Sequence, residues 1–124
     1  MNVRLSDGDR FRRAPGIRVF YEWSPVEASI VGIHVHGSWA LALRVQEKAL
    51  DVELRRDPAN EHDPNAVGAY VDGKQIGYLM KEAAADIAPA LERGMPLVAR
   101  AVGEPYAGRK SKGGSLPVRI DLAA

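Results

Sequence analysis

Cysteine is absent from this 124-residue chain, which excludes disulfides and thiolate chemistry and fits a reducing compartment. No apolar run approaches the roughly 18 residues that a bilayer-spanning helix needs. The first ten residues carry Arg4, Asp7, Asp9 and Arg10, where a secretory signal would hold an apolar stretch. A soluble, cytoplasmic protein without membrane association is therefore expected. Also missing are a nucleophile motif, a Walker loop, a Gly-rich dinucleotide turn and carboxylates paired at acid–base spacing, so neither an enzymatic activity nor a cofactor is expected.

Neither charge sign dominates, since the formal net charge is +1, but its distribution is uneven. Residues 1–20 sum to +3, residues 21–105 to −5 and residues 106–124 to +3. Basic ends of this kind permit local contact with phosphate, although solvated tails are the more frequent explanation. By length the chain is one domain, large enough to bury a core without metals or disulfides.

What is present is concentrated in one stretch. From Arg55 to Tyr78 the chain reads RRDPANEHDPNAVGAYVDGKQIGY. Two Asx-Pro pairs, Asp57-Pro58 and Asp63-Pro64, restrict the residue before each proline and offer carboxylates to nearby backbone N–H groups, so the connection between them is stiff. Each of Asp57, Asn60, Asp63 and Asn65, taken singly, is an ordinary turn residue. Together, Asn60, His62, Asp63 and Asn65 place amide, imidazole and carboxylate groups on a loop held by a hairpin, a usual location for recognition.

The hairpin is marked by Asp72-Gly73, the two-residue signature of a type I′ turn. It predicts Val71 opposite Lys74, Ala69 opposite Ile76, Gly68 opposite Gly77 and Val67 opposite Tyr78. Gly68 facing Gly77 would leave bare sheet, open to a close-packed helix or a ligand.

Around this centre, alternation predicts strands over Ile17–Trp23, Ala28–His36, Leu50–Arg56, Pro96–Val102 and Leu116–Leu122. In the second of these the odd-numbered face, with Val31, Ile33 and Val35, is the apolar one. Trp39 to Ala49 is compatible with strand or helix. Lys81 to Arg93 has helical spacing, with Gly94 as its stop and Pro89 expected to kink or restart it near Ala88. Gly103 to Ser115 is a flexible, basic loop through Arg109, Lys110 and Lys112. The fold class that follows is mainly β with one principal α-helix, a small antiparallel barrel.

These residues resemble the HIRAN domain family, whose pattern runs R-x-D/E-P-x-N-x-(aromatic or His)-D-x-N-A, then an alternating strand, then G-x-x-I/V-G-Y-L. Here the first part is RRDPANEHDPNA, Arg55 to Ala66, and the second GKQIGYL, Gly73 to Leu79, followed by Lys81-Glu82. The match runs from about Ile30 to Gly103. The resemblance implies an OB-like barrel, with residues 1–27 as an N-terminal arm and extra strand and residues 28–124 as the HIRAN-like domain.

It also implies a role in DNA repair: capture of single-stranded DNA at a free 3′-hydroxyl end, by rings that stack on terminal bases and an aspartate that accepts from the hydroxyl. Carried over by motif, Asp63 takes the hydroxyl, His62 stacks or hydrogen-bonds where the family often has tyrosine, Asn60 shapes the pocket and Lys81 meets phosphate. Asn65 and Tyr78 line it, and Tyr106 is a further ring. Arg55 and Arg56, with Arg109, Lys110 and Lys112, are basic support.

Where well-studied members carry a basic–aromatic pair on the early strand, this chain has His34-Val35, so that ring is absent or supplied by His34, His36 or Trp39. HIRAN domains also occur joined to helicase or nuclease parts, which makes such proteins candidate partners. Two strand histidines with His62 and Asp63 approach a metal-ligand set, but strand histidines are ordinarily polar surface residues, and no metal is expected. The alternative reading is a protein-interaction barrel without nucleic-acid binding.

Overall fold

Asp72 and Gly73 both take positive φ, 50° and 81°, as a type I′ turn requires. They join β3 (Val67–Val71) to β4 (Lys74–Leu79). The computed structural model describes residues 23–33, 35, 37–107 and 113–123. Around this hairpin stand β1 (Val26–Val31), α1 (Trp39–Lys48), β2 (Val52–Arg56), α2 (Lys81–Glu92), β5 (Leu97–Ala101) and β6 (Ser115–Leu122). The six strands close into an antiparallel barrel in the order β1-β4-β3-β2-β5-β6, with β6 returning to β1. The mainly β, OB-like expectation holds. The expected strand over residues 17–23 lies almost wholly outside the described residues; its last member, Trp23, packs on the core and donates its indole N–H to Ile120 O at 3.0 Å.

Inward-facing Ile30, Val52, Leu54, Ala69, Ile76, Ala99, Leu116, Val118 and Ile120 fill the barrel. On β2 the alternation is obeyed literally, with Val52 and Leu54 buried and Glu53 and Arg55 exposed. Seams differ in length. β1 and β6 share six opposed pairs, whereas β1 and β4 share only Ile30↔Leu79 and Val31↔Tyr78. The β1–β4 seam is thus as short as β2–β5, which has only Val52↔Ala99 and Glu53↔Val98, and at β1–β4 the backbones approach closely. A Cβ on Gly77 would collide with the Val31 carbonyl oxygen, so glycine is required at that point.

Three sequence expectations are corrected. In β1 the inward face is even-numbered: Ile30 is fully buried while Val31 turns outward, and beyond Gly32 (φ 75°) the alternation is lost, leaving Ile33 buried and Val35 79% exposed. The hairpin register holds at Val71↔Lys74, but a bulge at Ile76 then sets Ala69 opposite Gly77 and Gly68 opposite Tyr78. The bare patch does not form, because the Tyr70 ring and Gln75 lie over Gly68. Finally, the helix does not restart near Ala88 but runs as one element through Pro89 to Glu92; the carbonyl a proline there cannot serve belongs to exposed Ala85.

The ambiguous stretch is helix α1, since Ala42 and Val45, three apart, are its buried residues. Buried Ser38 ties its start to the sheet by donating to Gln75 O at 3.2 Å. The alanine-rich face of α2 (Ala83, Ala84, Ala88, Ala90, with Ile87) lets it pack closely on β2 and β3, and Gly94 (φ 83°) stops the chain as expected.

Candidate nucleic-acid interface

Between β2 and β3 the chain makes a loop that holds itself. Its neck is closed by Asp57 N–H donating to Ala66 O at 2.9 Å. Inside, Asn60 Oδ1 accepts from the N–H groups of His62 (2.9 Å) and Asp63 (3.0 Å), and Asp63 Oδ1 accepts from Asn65 N–H at 2.9 Å. The bond from Asn65 N–H is the Asx turn that Asp63-Pro64 foretells; the other such turn is built on Asn60, while the Asp57 carboxylate accepts from side chains instead. The Tyr78 hydroxyl, from β4, donates to Asp57 Oδ2 at 2.9 Å, and Asn60 Nδ2 approaches the same oxygen at 3.4 Å. Hairpin and loop are thereby joined through one carboxylate.

Beside the loop, at the short β1–β4 seam, opens a cleft of about 440 Å³ lined by Val31, Asn60, His62, Asp63, Ala66, Tyr78, Leu79 and Lys81. Asn60, His62, Asp63, Tyr78 and Lys81 thus meet on one surface, drawn from a loop, a strand end and the first residue of α2. Asn60 is spent on backbone and on Asp57, so it shapes the loop. Among the described residues, Asp63 Oδ2, the His62 ring and the Lys81 ammonium have no protein partner and are open to a ligand. The cleft combines an acceptor, a flat ring and a cation over an apolar floor.

Val31, Ala66 and Leu79 supply that floor, and sequence reading missed them. Alternation assigns Val31 to the core-facing set, and the barrel turns it to the cleft instead. Its position has a further consequence. Val31 is opposite Tyr78 on one side and Ser115 on the other, and Ser115 bridges Tyr106 with reciprocal N–H to O bonds of 2.7 Å. Directly opposed residues share a sheet face, so Tyr78, Val31, Ser115 and the 61%-exposed Tyr106 form one row leading from the cleft.

The remaining candidates fall elsewhere. Asn65 is exposed and contributes its backbone N–H to Asp63. Arg55 is paired with Glu53 at 2.8 Å and stacks over Tyr70 at 4.2 Å, and that hydrogen bond holds the Glu53 carboxyl below its ordinary range. Arg56 is turned onto the loop backbone and Glu92. Trp39 sits on α1, packed against the core. His34, His36, Arg109, Lys110 and Lys112 lie outside the described residues.

A second hollow, about 270 Å³, is lined by Val98, Arg100, Val102, Arg119 and Asp121 and includes none of the expected site residues. Its opposed arginines are tied to Asp51 (2.7 Å) and Glu27 (3.5 Å). Among the described residues no group of three His, Asp or Glu side chains converges to hold a metal, and no helix is long and apolar enough to cross a membrane.

The sequence matches the HIRAN domain over residues 26–120. The chain belongs to the HIRAN domain family. Two solved structures share its fold. The crystal structure of the HIRAN domain of human HLTF is 23% identical, with 80% of this chain and 74% of that one covered and a TM-score of 0.58. A Lactobacillus plantarum protein is 18% identical, with 79% of this chain and 97% of that one covered and a TM-score of 0.55. No curated protein matches the sequence. The matched region begins at the first residue of β1 and takes in β1 to β5, both helices, the cleft residues and β6 as far as Ile120. The HIRAN fold is consistent with a nucleic-acid-binding module.

Proposed function

We propose that this HIRAN domain binds single-stranded DNA and receives its free 3′-hydroxyl end in the cleft beside Asp63. The observation that supports this reading most directly is the state of that carboxylate. One oxygen is anchored by Asn65 N–H, which sets its orientation, while the other is unpartnered among the described residues, in the same cleft as Lys81 and His62. A terminal hydroxyl supplies the donor that Asp63 Oδ2 lacks, and the preceding phosphate supplies the anion for Lys81. The His62 ring offers a stacking face, an interaction of about 1 to 3 kcal/mol per base. A volume of about 440 Å³ falls within the size range of sites that enclose a small group.

Beyond the terminal nucleotide, the row from Val31 through Ser115 to Tyr106 gives the strand a path toward a second exposed ring. Helicase or nuclease proteins acting on strand ends in DNA repair are the partners that suit such a module.

The test compares a short oligonucleotide ending in a 3′-hydroxyl with its 3′-phosphate twin by fluorescence anisotropy. The hydroxyl form should bind at least ten-fold more tightly, because a phosphate brought against the Asp63 carboxylate sets two like charges side by side. Equal affinities would remove the strand-end role.

A further inference from the structure

Arg56 is the last residue of β2, and its side chain is only 17% exposed. All three of its guanidinium nitrogens are in use. Nε and Nη2 meet Glu92 Oε1 at 2.9 and 2.8 Å, Nη1 donates to Ala66 O at 2.9 Å, and Nη2 donates to Pro64 O at 2.9 Å. The Pro64 carbonyl belongs to the same peptide plane as Asn65 N–H, the group that donates to Asp63 Oδ1. A peptide unit is rigid, so fixing the carbonyl on one edge fixes the N–H on the other. Arg56 and Asp63 therefore stand at opposite edges of a single plane.

We infer that Arg56 is a positioning residue, which orients the Asp63 carboxylate through the Pro64–Asn65 peptide, with Glu92 holding the guanidinium in place. This rests on the strand-end reading and assigns that site its specificity device. It replaces the role of phosphate contact suggested by the charge of Arg56. The planar fork of an arginine is suited to gripping two carbonyls and a carboxylate together, and an ammonium cannot reproduce that geometry. The same helix that contributes Lys81 to the cleft at its first residue contributes Glu92 to the clamp at its last, so both charges of the site are referred to one rigid element.

The experiment uses the whole chain and its Arg56→Lys variant, which keeps the charge. In the ligand-free variant the Asn65 amide should exchange with solvent about ten-fold faster, the size of one lost charged hydrogen bond. With oligonucleotides, the preference for 3′-hydroxyl over 3′-phosphate should fall toward unity while the salt dependence of affinity stays as in the parent. Glu92→Gln, which leaves Arg56 on its carbonyls, should shift both readouts the same way by less. Should Arg56→Gln lower the salt slope by about 0.7, the value of one phosphate contact on a single strand, with end preference intact, Arg56 is a phosphate ligand and the inference is wrong. An unchanged Asn65 amide in Arg56→Lys would overturn it as well. A parent chain indifferent to the end group would instead overturn the strand-end reading, and the ligand-free amide measurement would still decide the clamp.

Discussion

The Tyr78 hydroxyl donates to Asp57 Oδ2 at 2.9 Å, linking the end of the β-hairpin to the start of the loop that carries Asn60, His62 and Asp63. Through it one wall of the cleft is held to the other. Tyr78→Phe keeps the ring but strips a donor from a half-buried carboxylate. A loss of about 1 kcal/mol in denaturant unfolding is expected. Because the loop is also fixed by Asn60 and Arg56, backbone amide shifts in the variant should move at Asp57 and Asn60 first.

Gly77 and Gly73 separate two reasons for glycine. At Gly77 an added methyl meets the Val31 carbonyl across a two-pair seam, and neither backbone can yield without parting β1 from β4. Gly77→Ala should cost about 3 kcal/mol or more, the upper range for overpacking. At Gly73 nothing lies within 4 Å, and only the positive φ of 81° matters. Gly73→Ala should cost about 1 kcal/mol, the penalty of a left-handed alanine. Equal losses in thermal unfolding would contradict the close approach at the seam.

Asp63→Asn preserves an oxygen for Asn65 N–H and removes the negative charge. Stability should change by less than about 0.5 kcal/mol, as for an exposed substitution. Binding of the 3′-hydroxyl strand should weaken, and the 3′-phosphate twin, freed from repulsion, should gain. A variant that still distinguishes the two ends as the parent does would show that Asp63 does not face the terminus.

Lys81→Gln isolates the phosphate contact. Affinity measured from low to high salt should show a slope shallower by about 0.7, with the end preference retained. Tyr106→Ala, at the far end of the exposed row, should weaken strands of several nucleotides by about 1 to 3 kcal/mol and leave a dinucleotide unaffected.

Glu53 offers a pH-dependent measurement remote from the cleft. Its hydrogen bond with Arg55 lowers its pKa from an ordinary 4.5. A carboxyl whose folded pKa is depressed contributes stability above its unfolded value, and loses that contribution as pH falls through the folded one. The Glu53 carboxyl carbon should titrate below 4.5 in the parent chain and return toward it in Arg55→Ala. Both side chains are exposed, so high salt should shrink the difference.

Local rules made much of this molecule legible in the amino-acid order alone. Asp72-Gly73 dictates its turn because two positive φ angles suit few other pairs, and Val52, Glu53, Leu54 and Arg55 alternate because one face of β2 is wet. The Asx-Pro pairs announce a self-bonded loop, and Ile87 with its alanines announces a helix that packs closely. Those outcomes depend on neighbours within a few residues. What tertiary structure decided depends on closure. Whether Val31 faces the core or the cleft, and whether Ile76 bulges, follow from joining β1 to β4 in a ring, a constraint between residues some fifty positions apart that periodicity does not express. The same closure brings Lys81 and Tyr78 to His62 and Asp63, and it turns Arg56 from an apparent surface cation into a clamp. Charge and spacing name the groups; only the closed barrel sets which carboxylate oxygen is bound and which is left open.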